Sequence, residues 1–252
     1  MTAQIRVFWQ PWCTSCLRVR EFLAGRGVDF DSVNVLEGED GLADLRALGA
    51  KSVPVVSRGD QFVFAQSIPD VVSFLGLDDA PRPDLSPRQL VERLDLILSA
   101  ARRYTLQMPA AELDTMQPNR PRSYRALLYH IFRIPEAFLE MTRGGTLEYE
   151  MLVAPPPEDM RTTADLAAYG ESVRQGILAW WDARDDQTCG ERVPTYYGKQ
   201  PLHEVLERTT WHPCQHVRQL MALLERLGIA PDQPLTAADL SGLPLPAGVW
   251  DP

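Results

Sequence analysis

Cys13 and Cys16 stand between a short run of β-formers, Ile5-Arg6-Val7-Phe8-Trp9, and a stretch with helical spacing that stops at Gly25-Arg26-Gly27. That placement is restrictive. A cysteine at the first turn of a helix lies beside unpaired N–H groups and the positive end of the helix dipole, and both favour the thiolate. The thiolate is the attacking species in disulfide exchange, and a second cysteine one turn later can displace the product. Cys13 is therefore read as the nucleophile and Cys16 as the resolving thiol. The competing reading is half of a zinc site. It requires another Cys or His pair close by, and this part of the chain has none.

The rest of residues 1–77 alternates in the same manner. A β-branched segment covers 28–35, a short helix 41–48, and a last helix 67–75. Between them Val53-Pro54-Val55-Val56 and Gln61-Phe62-Val63-Phe64 flank Ser57-Arg58-Gly59-Asp60, a hairpin signal. The predicted order is β-α-β-α-β-β-α. Proline after a β-branched residue opens the third strand. A cis bond there would turn the Ser52-Val53-Pro54 backbone toward the cysteines, where it can pair with the backbone of an incoming thiol. The alternative is an ordinary trans proline at a strand start.

Residues 78–86 are polar and carry two prolines, so they read as a linker. Long helical patterns follow over about 86–107, 123–141, 163–183 and 201–227. Ser86-Pro87 supplies an N-cap and a proline at the first helical position. Pro135 is expected to kink or break the second helix. Four such helices predict an all-α four-helix bundle over 87–228, followed by a proline-rich tail over 229–252.

The chain has four histidines, and two of them, His212 and His216, are spaced i, i+4. They project from one helix face, together with Val205, Thr209, Gln219 and Leu223, which is where bundle-core residues belong. His130 shares its helix face with Leu127, Ile134 and Phe138 and also points inward. Neutral imidazoles in a dry core need partners. A divalent metal with an open coordination position would supply one, matching the three-ligand pattern of catalytic zinc. Separate core histidines bonded to backbone or tyrosine are the alternative. His203 is out of phase with His212 and is expected elsewhere. Cys214 is read as a packed thiol facing away from the histidines, Trp180-Trp181 as packing residues, and Tyr196-Tyr197 as candidates for lining a site mouth.

Trp9-Gln10-Pro11-Trp12-Cys13-Thr14-Ser15-Cys16, the Ser52-Val53-Pro54 segment and the Gly59-Asp60 turn together resemble the glutaredoxin family, which implies an α/β thioredoxin-like domain in its compact form. The family's glycine pair, which helps hold glutathione, is replaced by Ala65-Gln66-Ser67. His130, His212-x-x-x-His216-x-x-Gln219 and Tyr197-Gly198-Lys199 resemble the DinB/YfiT-like four-helix bundles. That resemblance implies metal ligation by His130, His212 and His216, with Gln219 behind them, and transfer of a bacterial low-molecular-weight thiol to an electrophile. Zinc is the first candidate ion, with nickel or manganese as alternatives, and bacillithiol or mycothiol is the expected thiol in preference to glutathione. Pro213, between the two helix-borne ligands, departs from the pattern.

The net charge of -9 and the absence of any Lys/Arg run argue against a phosphate-backbone partner. No apolar run approaches the roughly 20 residues that span a bilayer, and the N-terminus runs into a strand without the regions of a signal peptide. A cytoplasmic protein is therefore expected, with homodimerisation left open. The expected function is a thiol–disulfide oxidoreductase fused to a metal-dependent thiol S-transferase. The alternatives are a redoxin with a non-catalytic bundle serving as scaffold or oligomerisation module, and a redoxin fused to a metal-dependent hydrolase or isomerase.

Overall fold

The computed structural model describes residues 4–38, 40–117 and 122–250. The first three residues and the last two residues of the tail lie outside the described residues. The chain divides into two compact units, one of residues 1–82 with 246–252 and the other of residues 83–245.

The first unit runs β1 (Ile5–Trp9), α1 (Thr14–Gly25), β2 (Asp31–Asn34), α2 (Asp40–Ala47), β3 (Val55–Arg58), β4 (Gln61–Phe64) and α3 (Ile68–Leu75). Its sheet has the order β2-β1-β3-β4. β1 lies parallel to β2 and antiparallel to β3, with Val7 opposite Val56 and Phe8 opposite Val55. Successive side chains of a strand point to opposite faces, so Val7 and Phe8 seed two cores. Val7 packs with Val19, Leu23, Val56, Ile68 and Val71, and Phe8 packs with Cys16, Val35, Leu45, Val53 and Val55. Helices on both faces of a four-stranded mixed sheet make this a thioredoxin-like domain.

The second unit contains α4 (Pro87–Gln107), α5 (Tyr124–Thr142), α6 (Tyr149–Val153), α7 (Thr163–Asp182), β5 (Arg192–Thr195), β6 (Gly198–Pro201), α8 (Leu202–Arg226) and α9 (Ala237–Leu240). Ser86 and Thr162 cap α4 and α7 through capping boxes closed by Gln89 and Asp165, and Ser123 caps α5. α4 and α5 each pack against both α7 and α8. The result is a four-helix bundle whose core includes Leu94, Ile97, Leu127, Phe132, Phe138, Ile177, Trp211 and Leu220, all fully buried. α5 and α7 approach closely at Gly170, where an added Cβ would lie 2.5 Å from the Phe132 ring.

Pro135 does not break its helix. α5 continues through it, as α8 continues through Pro213. Each proline removes one backbone hydrogen bond, and the packing of both helix faces holds the helices together regardless. The stretch before α8 is not a plain loop but a two-stranded ribbon, with Gly198 at φ 109 in its turn. The tail is also not one segment. Residues up to 245 belong with the bundle, where the Tyr104 hydroxyl donates to the Gln233 carbonyl at 3.0 Å. Residues 246–250 belong with the first unit. There the Ala247 and Gly248 N–H groups donate to the Glu21 carboxylate at 2.7 and 3.0 Å, and Trp250 contacts Trp12 at 4.1 Å between ring centroids.

Candidate functional sites

In the first unit Cys13 is the N-cap of α1, and the Cys16 N–H donates to its Sγ at 3.3 Å. The two cysteines are joined as a disulfide. Cys13 is half-buried, whereas Cys16 is wholly buried. The sulfur that a substrate can reach is therefore the one at the helix N-terminus. Thr14 and Ser15, between them, bury hydroxyls that have no hydrogen-bond partner. Ser52, Val53 and Pro54 are buried ahead of β3, and the Val53–Pro54 bond is cis. The Val53 carbonyl accepts from the Gln66 amide at 3.3 Å, and Gln66 is itself buried. Gln66 thus holds the segment expected to face a substrate backbone.

In the second unit α5 and α8 bring His130, His212 and His216 together, with one nitrogen from each lying within 4.8 Å of the others. The ring centroids are 5.0 to 5.7 Å apart. The Leu152 carbonyl lies 2.9 Å from His130 Nδ1, and Gln219 Oε1 lies 2.8 Å from His216 Nδ1. A carbonyl oxygen only accepts, so Nδ1 carries the proton in both rings and Nε2 is the nitrogen of each that could ligate an ion. This outer-partner arrangement is the usual one for metal-binding histidines. His212 Nδ1 is buried with no hydrogen-bond partner. An unsatisfied polar atom in a core is unfavourable, and a cation would satisfy it. Burial first, and then the Arg208 charge, hold the His212 imidazole well below its usual range. It is therefore neutral at pH 7, the form that ligates. The donor set and its outer partners fit a divalent ion.

A half-buried ionic network lies next to this centre. Arg133, in α5, donates from Nε to the Met151 carbonyl at 2.6 Å and from both terminal nitrogens to Glu140 at 2.6 and 2.9 Å. Glu136 accepts from Arg133 and from the Tyr169 hydroxyl, both at 2.5 Å. Met151 and Leu152 are neighbours in α6. Arg133 therefore fixes the carbonyl next to the one that orients His130.

His203 lies apart from the cluster, with its Nε2 2.8 Å from the Leu85 carbonyl. Cys214 is buried, and burial pushes its thiol up to about 12. Trp180 packs edge-on against Phe138. Tyr197 is nearly buried, with the Arg208 guanidinium 5.8 Å over its ring. Three residues went unread in the sequence: Arg133, Arg208 and Trp250. Arg208 precedes His212 by four positions, so the i, i+4 series that singled out the histidines extends to it.

A helix-capping two-cysteine pair on a thioredoxin-like sheet, and a three-histidine centre in a helical bundle, define the class. Residues 5–63 match the glutaredoxin family model. The match and the Cys13–Cys16 pair together support a thiol–disulfide oxidoreductase. Among solved structures, the chain is similar to YfiT from Bacillus subtilis, described as a probable metal-dependent hydrolase with an unusual four-helix bundle topology. The identity is 15%, with 66% of this chain and 99% of YfiT covered, at a TM-score of 0.48. No curated protein sequence matches the chain. Among the described residues no helix is long and apolar enough to cross a membrane.

Proposed function

We propose that the chain joins two thiol activities, disulfide exchange at Cys13 and Cys16 and metal-dependent transfer of a low-molecular-weight thiol at His130, His212 and His216. The observation that carries this reading is the convergence of three imidazoles, two of them already oriented through Nδ1, in a chain that also bears a redox cysteine pair.

In the first activity the Cys13 thiolate attacks a disulfide, forms a mixed disulfide and releases one thiol. Cys16 then attacks Cys13, releasing the second thiol and closing the Cys13–Cys16 bond. Two equivalents of a small thiol then return the pair to its reduced form and leave as their own disulfide. In the second activity His130, His212 and His216 would hold a divalent ion, zinc in the first instance, which would supply Lewis acidity favouring the thiolate form of a thiol substrate. His130 and His216 keep their ligand nitrogens directed by the Leu152 carbonyl and Gln219, and the buried surroundings of His212 keep it neutral for ligation. Bacillithiol or mycothiol is the favoured thiol, because Ala65-Gln66-Ser67 stands where a glycine pair would help hold glutathione.

The test is a thiol panel of bacillithiol, mycothiol and glutathione with a generic electrophile, using metal-loaded protein. Transfer that collapses in His212→Ala while disulfide reduction survives is the expected result. No transfer with any thiol, or hydrolysis that needs no thiol, overturns the transferase reading.

A further inference from the structure

Arg208, His212 and His216 follow one another at i, i+4 and i+8 along α8, and so occupy one face of that helix. Arg208 is 6% exposed. Its Nε is buried without a hydrogen-bond partner, and no acidic side chain among the described residues pairs with it. Its guanidinium lies over the face of Tyr197, itself nearly buried, in the turn between β5 and β6. The other buried arginine of the bundle behaves differently, since Arg133 is held by two carboxylates. A buried guanidinium with no counter-charge is strongly unfavourable unless something supplies one. A divalent ion among the histidines would add further positive charge beside it. Among the described residues no carboxylate is paired with the Arg208 guanidinium to balance that charge.

We propose that Arg208 is the anion-recognition residue of the histidine site, and that the ligand drawn there carries a carboxylate or phosphate group. This rests on reading the cluster as a ligand-binding metal centre. The planar guanidinium suits both groups through paired N–H donors. Tyr197 supports its face and leaves its edge to the ligand. Applied to the thiol reading, the inference favours a thiol or co-substrate with carboxylates over an uncharged partner.

The probes are malate and inorganic phosphate, titrated by calorimetry into the full chain at matched ionic strength, both metal-loaded and chelator-treated. Wild type should bind malate saturably and melt at a higher temperature in its presence, because a ligand of the native state stabilises it. Arg208→Met and Arg208→Gln should each weaken binding at least tenfold in both preparations. Arg208→Met should melt no lower than wild type in anion-free buffer, which a purely structural arginine would not allow. If the Met variant fails to fold, the Gln variant decides. Saturable binding that is unchanged in the variants, or no saturable binding by wild type, overturns the proposal. Competition identifies the source of the anion. Displacement of malate by glutathione but not by mercaptoethanol places the anion on the thiol, and binding of both thiols alongside malate places it on the co-substrate. Metal content of the same samples separates the two readings. Absent metal with Arg208-dependent anion binding removes the transferase reading alone, and retained metal with Arg208-independent binding removes this one alone.

Discussion

The two units assemble their reactive groups by different routes. In the first, both sulfurs belong to one helical turn, and the cap geometry that favours the thiolate is set by Cys13 itself. In the second, the three imidazoles come from α5 and α8, and their orientation depends on a carbonyl of α6 and on Gln219. A site built within one turn survives most changes elsewhere, provided the helix start is kept. A site built across helices inherits every adjustment in how those helices pack. The cysteine site should therefore fail only at its own residues, whereas the histidine site should weaken at a distance.

The largest expected effect is at Cys13. Cys13→Ser should abolish disulfide exchange, and Cys16→Ser should retain attack and accumulate a mixed disulfide visible by mass spectrometry. Burial pushes Cys189 up to about 11 and Cys214 up to about 12. In the reduced native protein, iodoacetamide at pH 8 should therefore label Cys13 and leave those two untouched. Equal labelling of Cys214 would contradict the burial argument. The same two thiols make stability fall as pH rises above about 9, because they ionise in the unfolded chain and stay protonated in the folded one.

Next come changes that reach the histidines indirectly. Arg133→Met leaves Glu136 and Glu140 without their cation and frees the Met151 carbonyl, and Gln219→Leu removes the acceptor of His216 Nδ1. Each should weaken metal binding about 10–100-fold, the range for loss of an outer partner, with disulfide exchange unchanged. Metal affinity equal to wild type in both would show that the imidazoles need no such support. Smaller again is Gly170→Ala. Overpacking against Phe132, about 1–3 kcal/mol, outweighs the roughly 1 kcal/mol of helix propensity gained. Chemical denaturation should show net destabilisation of the bundle. Smallest is Trp250→Ala, which removes one ring contact of about 0.5–1.5 kcal/mol beyond its buried area. It should lower the stability of the first unit without touching metal content.

Legibility in the sequence followed the same division. Cys13, Cys16 and the order of the first unit were readable because strand alternation, the helix stop at Gly25-Arg26-Gly27 and the hairpin signal are all local. The long helices were readable by period and caps, and His212 with His216 by spacing. His130 required the further step of assigning an inward face to a second helix. α6 is only five residues long, and β5 and β6 are four-residue strands that each carry a proline, so none of them offers enough periodicity to detect. Arg208 stands in the same i, i+4 series as the histidines, but a charged residue carries no pattern signal for a core face. The Glu21 contacts with Ala247 and Gly248 join chain segments far apart in sequence, which no local pattern encodes.

The most direct test of two separate centres is elemental analysis of the purified full chain, run on wild type, His212→Ala and Cys13→Ser, with disulfide exchange assayed on the same samples. About one divalent ion per chain is expected in wild type and in Cys13→Ser. Almost none is expected in His212→Ala, which should still exchange disulfides at the wild-type rate. A wild-type protein that takes up no divalent ion, or a His212→Ala protein that keeps its metal, would contradict the two-centre reading.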